Sequence, residues 1–199
     1  MPTPHTLAVA DKPAMSTGND RLEDLLLFRS RTILVFGGID EEQTLATCTR
    51  LQAMCEESDR PITMLVSSPG GHVESGDAIH NMIRFVPAPV TTIGTGWVGS
   101  AAAHIFLAPP KERRVCLPHP RFLIHQPAGG IGGQATEIAI QAAQIVKTRE
   151  RIARVIAAQT GQPLEKVARD IERDFWMDAQ EALAYGIVSR VVESRAELG

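Results

Sequence analysis

Cysteine is scarce in this chain: three in 199 residues, with no CxxC spacing among them. An odd and widely spaced set excludes a complete disulfide framework and speaks against a zinc site. Cys48 and Cys55 stand seven apart in a helical pattern, so both are expected on one helix face as buried thiols of a reducing, cytoplasmic protein. Long apolar runs are missing too. None approaches the roughly 18 residues of a membrane span, and residues 1–20 lack the basic start and apolar stretch of a secretory signal, so no membrane partner is expected. Charge of one sign is nowhere concentrated: 20 Lys and Arg against 23 Asp and Glu leave a formal net charge of −3. That spread lacks the basic block a nucleic-acid partner would require. No HExxH or comparable cluster offers a metal site, and the glycine-rich PAGGIGG lacks the Lys and Ser/Thr of a phosphate loop, so neither metal nor nucleotide is expected as a cofactor of this chain.

What is present is enough apolar sequence, 44% of the chain, to bury one full core. The opening MPTPHTLAVADKPAMSTGND has no period and reads as a mobile tail over residues 1–20, leaving a single domain over 21–199. In that domain β-branched runs alternate with amphipathic ones: RTILVFGGI then DEEQTLATCTRLQAMCEE, PITMLVSS then HVESGDAIHNMIRFV, PVTTIGTGWV then GSAAAHIFLA. The alternation predicts an α/β fold on a parallel sheet. Each run of strand character ends in glycines, at Gly37 and Gly38, at Gly70 and Gly71, and at Gly94, Gly96 and Gly99, the strand ends where α/β folds place their sites. RRVCL and RFLIHQ read as two short strands and PAGGIGG as a loop. A long helix is expected from about Gln134 to Thr160, stopped by Gly161, with Pro163 opening the next. Ile138, Ile145 and Ile152 repeat every seven residues along it, an apolar stripe that must pack on something.

Ser100 lies where the third strand turns into its helix. Such a serine is ordinarily an N-cap, but free N–H groups at a helix start also suit a developing oxyanion, and Gly99 and Ala101 leave its approach open. SPGG at the preceding strand end can turn main-chain N–H groups outward in the same way. A serine nucleophile needs a base and a group to orient it. Of six histidines, His125 ends the strand RFLIH and points to the same crevice, while His72, His80 and His104 fall on helical patterns, His119 lies between prolines and His5 is in the tail. RDIERDFWMD offers Asp170, Asp174 and Asp178 as the carboxylate, and position alone does not choose among them. An α/β-hydrolase is excluded, because Val98 and Ala102 stand where its nucleophile turn has glycines and the order here is Ser, His, Asp.

SPGG, GWVGSAA, LIHQPAGGIGGQATEI and TGQPLEKVARDIERDFWMDAQEALAYGIV together resemble the ClpP family, the proteolytic subunits of ATP-dependent Clp proteases. The likeness runs in order from about Leu25 to Val192. It implies a ClpP/crotonase-type fold of stacked ββα units with a protruding strand–helix handle, and a Ser-His-Asp endopeptidase. By position it implies Ser100 as nucleophile, His125 as general base, Asp174 as orienting carboxylate, and the N–H groups of Gly71 and Ala101 as oxyanion donors. It further implies that Gly129, Gly130, Gly132 and Gly133 belong to the handle and its substrate-binding edge, and that Arg173 links ring contacts to the site. Two stacked seven-membered rings would enclose a chamber fed with unfolded polypeptide by an AAA+ unfoldase, which alone would use ATP.

Two features depart from the family pattern. Ala101 replaces the usual Met after the nucleophile, which a main-chain donor tolerates, and the segment before residue 21 does not resemble an axial gating loop. Two other functions fit part of the sequence: a weakly active scaffold or regulatory subunit in a ring mixed with another ClpP, and a crotonase-type acyl-CoA enzyme, which shares the paired oxyanion turns.

Overall fold

The computed structural model describes residues 18–130 and 132–198. Most of the expected tail lies outside them. Gly18, Asn19 and Asp20, assigned to the tail from composition, instead open a helix, α1 (Gly18–Arg29). The leucine-rich continuation is strong helix-forming sequence, and a helix started there extends back through them.

The three expected strand–helix units follow: β1 (Thr32–Ile39) and α2 (Glu41–Glu57), β2 (Ile62–Gly71) and α3 (Val73–Phe85), β3 (Val90–Gly99) and α4 (Ala101–Phe106). β1, β2 and β3 are parallel neighbours. Ile62, Met64, Val66 and Ser68 alternate as buried residues on one face of β2, the period of two that a sheet imposes. On the opposite face Ile93, Val115 and Val192 form a second, smaller apolar cluster with Leu65, Leu117 and Leu198 against it. Asp40 caps α2 by accepting from the Gln43 N–H at 2.8 Å. Arg31, buried and at φ 53°, gives its guanidinium to the carbonyls of Met54, Ser58 and Arg60 at 2.7–2.9 Å, tying the residue before β1 to the end of α2 and the turn after it. Cys48 and Cys55 face the core from α2 but are half-buried, and Cys116 is buried.

β3 then forks. Its first half, Thr92–Gly94, pairs in parallel with β4 (Arg114–Cys116), and its second half, Trp97–Gly99, with β5 (Arg121–Ile124). Between the halves the β2–β3 register slips, Val66 opposing Gly94 but Ser68 opposing Val98, an irregularity that bends a strand and lets it change partner. β4 takes β7 (Arg190–Val191) in parallel; β5 takes β6 (Phe175–Met177) antiparallel. The remaining helices are α5 (Ala135–Thr160), α6 (Leu164–Asp170) and α7 (Ala179–Tyr185). As expected, Gly161 stops α5 in the left-handed region at φ 78°, and Pro163 opens α6.

α5 has two characters. Ala153, Ile156 and Thr160 are buried and Ile152 packs on the core, whereas every described residue from 128 to 144 is exposed. The apolar stripe is therefore divided: Ile152 partly buried against the core, Ile145 half-buried, Ile138 39% exposed, with Ile140 at 58% and Val146 at 55%. The strand of the implied handle is not formed, since residues 125–130 and 132–134 carry no strand. A strand needs a ladder partner, Pro127 has no N–H to give one, and four glycines raise the entropy of extending the segment. Among the described residues no helix is long and apolar enough to cross a membrane.

Candidate active site

Ser100 occupies the N-cap position of α4 with φ 55° and ψ −121°, and its side chain makes no capping hydrogen bond. The hydroxyl is thus not spent on the helix. A non-glycine residue at positive φ is held there by its surroundings. Here the Ser100 N–H donates to the Leu123 carbonyl at 2.9 Å and the His104 N–H to the Ser100 carbonyl at 3.1 Å. All six residues of α4 are buried, and its last carbonyl accepts from Thr92 Oγ1 at 3.0 Å. Phe106 meets the Phe122 ring edge-on with centroids 5.3 Å apart, so the serine turn is anchored in the core; cutting Phe106 to Ala would cost about 3–5 kcal/mol.

Sheet register brings the other two groups to it. Gly99 opposes Leu123 across β3 and β5, and Leu123 opposes Trp176 across β5 and β6. Ile124 pairs with Phe175, so the next positions outward are His125 and Asp174. Their side chains meet with His125 Nδ1 at 3.6 Å from Asp174 Oδ1, an ion-pair distance rather than a hydrogen bond. Gln126 locks this end of β5 to the Asp174 loop, its N–H donating to the Ile171 carbonyl at 2.7 Å and its side chain to the Glu172 carbonyl at 3.0 Å. Ser100 and His125 line one cavity together with Ala101, Val73, Ile124 and Ile156. Among the described residues no hydrogen bond joins the Ser100 hydroxyl to His125.

The other aspartates have different work. Asp178 accepts from the N–H groups of Gln180 and Glu181 at 2.8 Å as the capping box of α7. Asp170 accepts from Lys166 and from the Tyr185 hydroxyl, both at 2.7 Å; burial and then this bond push the tyrosine upward, out of its ordinary range. His72 turns outward to Glu74, and His119 is exposed. Of His72, His119 and His125 and the three aspartates, then, His125 and Asp174 are the pair that the register of β5 and β6 brings toward Ser100.

The SPGG turn abuts the serine turn. Gly70 has φ 99°, and a Cβ there would lie 2.7 Å from the Ser100 Cβ and 2.9 Å from the Ala101 nitrogen; no other residue fits. Gly71 lines an adjoining cavity that shares Val73 and Pro127 with the first. Arg173, exposed beside Asp174, lines a shallow hollow with His125 and Glu172. Gly129 lines the adjoining cavity, while Gly130, Gly132 and Gly133 are exposed on the approach to α5. Among the described residues no group of three or more His, Cys, Asp and Glu converges as a metal site would.

Sequence reasoning passed over a partly buried polar cluster at the wall of the Ser100 cavity. His104 lines that cavity, and its Nε2 lies 3.0 Å from Asp77 Oδ1; Arg151 donates to both Asp77 oxygens at 2.6 Å. His80 stacks on His104 at 4.2 Å.

Comparison with known proteins gives this arrangement its family. Residues 18–195 match the family model described as Clp protease. The chain is 54% identical over 172 residues to the ATP-dependent Clp protease proteolytic subunit 3 of Rhizobium johnstonii, covering 86% of this chain and 89% of that protein. It is 55% identical over 174 residues to the proteolytic subunit 2 of Gluconobacter oxydans, covering 86% and 78%. Among solved structures, ClpP1 from Listeria monocytogenes superposes with a TM-score of 0.81 at 42% identity, over 89% of this chain and 99% of that one. A forked sheet that brings Ser100 and His125 to one cavity, with Asp174 beside His125, on a chain matched over residues 18–195, makes this protein a member of the Clp protease family, of the ClpP type.

Proposed function

We propose that the chain is the proteolytic subunit of an ATP-dependent Clp protease, a serine endopeptidase acting through Ser100, His125 and Asp174. The observation that carries this is the uncapped Ser100 hydroxyl, held at positive φ in the same cavity as His125. In the reaction Ser100 Oγ attacks the peptide carbonyl while His125 takes its proton, then returns it to the leaving amine; Asp174 orients the ring through Nδ1. The 3.6 Å His125–Asp174 separation closes to a hydrogen bond as substrate binds, as catalytic contacts in unliganded sites do. The N–H groups of Ala101 and Gly71 receive the oxyanion, an arrangement supported by the way Gly70 seats the SPGG turn against Ala101. No step calls for a metal or for ATP on this chain. A phosphonofluoridate that modifies Ser100, located by peptide mapping, is the test; modification elsewhere or none in assembled protein overturns the assignment. The family match leaves the acyl-CoA reading without support.

The assembly is a cytoplasmic homo-oligomer, two stacked heptamers coupled through the handle to which Gly129, Gly130, Gly132, Gly133 and the exposed half of α5 belong, with Arg173 joining that contact to Asp174. The exposed Ile138, Ile140 and Val146 support this, since apolar side chains left exposed around a helix mark a contact surface. A carboxylate in this stripe would be buried unpaired. Ile145→Asp is therefore expected to split the particle into single rings or smaller species with loss of peptidase activity, read by native mass spectrometry. A wild-type protein that stays at the monomer mass of 21.6 kDa at micromolar concentration would contradict it.

A further inference from the structure

The serine turn is strained, and the cluster behind it reaches across three helices. Gly76 and Asp77 are consecutive on α3. A Cβ on Gly76 would lie 3.0 Å from the Ala101 Cβ, so α3 presses directly on the first residue of α4, while Asp77 reaches its fourth, His104. The His104 imidazole is only 8% exposed, and its Nδ1 is buried without a partner. One hydrogen bond, from Nε2 to Asp77, therefore fixes the tilt of a ring that forms the wall of the Ser100 cavity, helped by the His80 stack. Asp77 in turn is clamped by both Nη atoms of Arg151 on α5, next to Ile152, which lines the same cavity. Burial opposes the Asp77 charge, but the hydrogen bonds from His104 and Arg151 outweigh it and hold the carboxyl far below its ordinary range. Burial, and then the neighbouring His104, push the His80 imidazole down to about 4. His80 is thus neutral, and its Nδ1–H donates to the His104 carbonyl at 2.8 Å.

We propose that Asp77 is a positioning residue: clamped by Arg151, it holds His104 and with it the α4 turn, so that Ser100 stays aimed at the substrate carbonyl. The proposal rests on Ser100 being the nucleophile. A misplacement of about 1 Å at a reacting atom can cost up to 100-fold, and a loss confined to positioning falls on kcat more than on KM. Asp77→Ala is expected to lower both kcat for a short fluorogenic peptide and the rate of Ser100 modification by a small phosphonofluoridate by about tenfold, with rings intact and KM changed less. Arg151→Gln, at a half-exposed site, is expected to move both rates in the same direction, and Arg151→Lys to restore them in part. If Asp77→Ala does not assemble, the Arg151 pair decides. A merely structural cluster would reduce the yield or Tm of rings whose activity per assembled subunit is unchanged. That result, or wild-type modification rates in assembled variants, overturns the proposal. Wild-type protein and Ser100→Ala run alongside: an unmodified wild type, or a modified alanine variant, refutes Ser100 as nucleophile instead.

Discussion

Ser100→Ala is expected to lower kcat for peptide hydrolysis by at least about 10⁴-fold, to the limit of the assay, while leaving ring assembly and peptide binding in place. Removing Oγ removes the atom that forms the acyl-enzyme bond, whereas the fold loses little. The hydroxyl makes no capping bond, and its turn is held by main-chain hydrogen bonds to Leu123 and from His104 that alanine keeps. The positive φ of 55° disfavours alanine and serine alike. His125→Ala should cost a similar factor, and the double variant little more than either single one, because members of a triad act as a unit. Peptide cleavage by assembled Ser100→Ala at even one-tenth of the wild-type rate would mean that another residue is the nucleophile.

Much of this is legible in the amino-acid sequence alone, and the parts that are not share one cause. The three strand–helix units and the limits of α5 follow from local pattern: β-branched runs alternate with amphipathic ones, and Gly161 with Pro163 marks a helix end. Forking of β3 is a tertiary event. β4 and β5 are three and four residues long, too short for periodicity to tell which edge each takes. The same holds at the site. Ser100 as cap or nucleophile is undecidable from GWVGSAA; only the fold shows that its side chain makes no capping bond. Asp170, Asp174 and Asp178 are equivalent in a string of letters; in the fold two of them are taken up by Lys166 with Tyr185 and by the start of α7. Asp77 and Arg151 were invisible because each satisfies the polar pattern of its own helix, and only the packing of α3, α4 and α5 makes them neighbours of His104. A lone histidine inside the run AAAHIFLA was the one available signal, a polar group in sequence otherwise fit for the core.

The second large effect concerns what the protein cannot do alone. The purified chain is expected to cleave short fluorogenic peptides without nucleotide, and to leave a folded, tagged fluorescent reporter intact until a cognate AAA+ unfoldase and ATP are both present. PAGGIGG lacks the Lys and Ser/Thr of a phosphate loop, so ATP is expected to act through the unfoldase and not on this chain. A triad enclosed by stacked rings meets only chain that threads in, and a folded domain offers such chain rarely. With an unfolding free energy of about 8 kcal/mol, only about one molecule in a million is open at any moment. A short peptide has no fold to lose and diffuses to Ser100 directly. Loss of reporter fluorescence, followed with each component omitted in turn and with Ser100→Ala as control, measures the difference. Degradation of the folded reporter by the isolated chain would show that Ser100 and His125 open to solvent rather than to a closed chamber. Reporter loss that persists with unfoldase, ATP and Ser100→Ala would trace to unfolding alone, and gel analysis of the intact polypeptide separates that from cleavage.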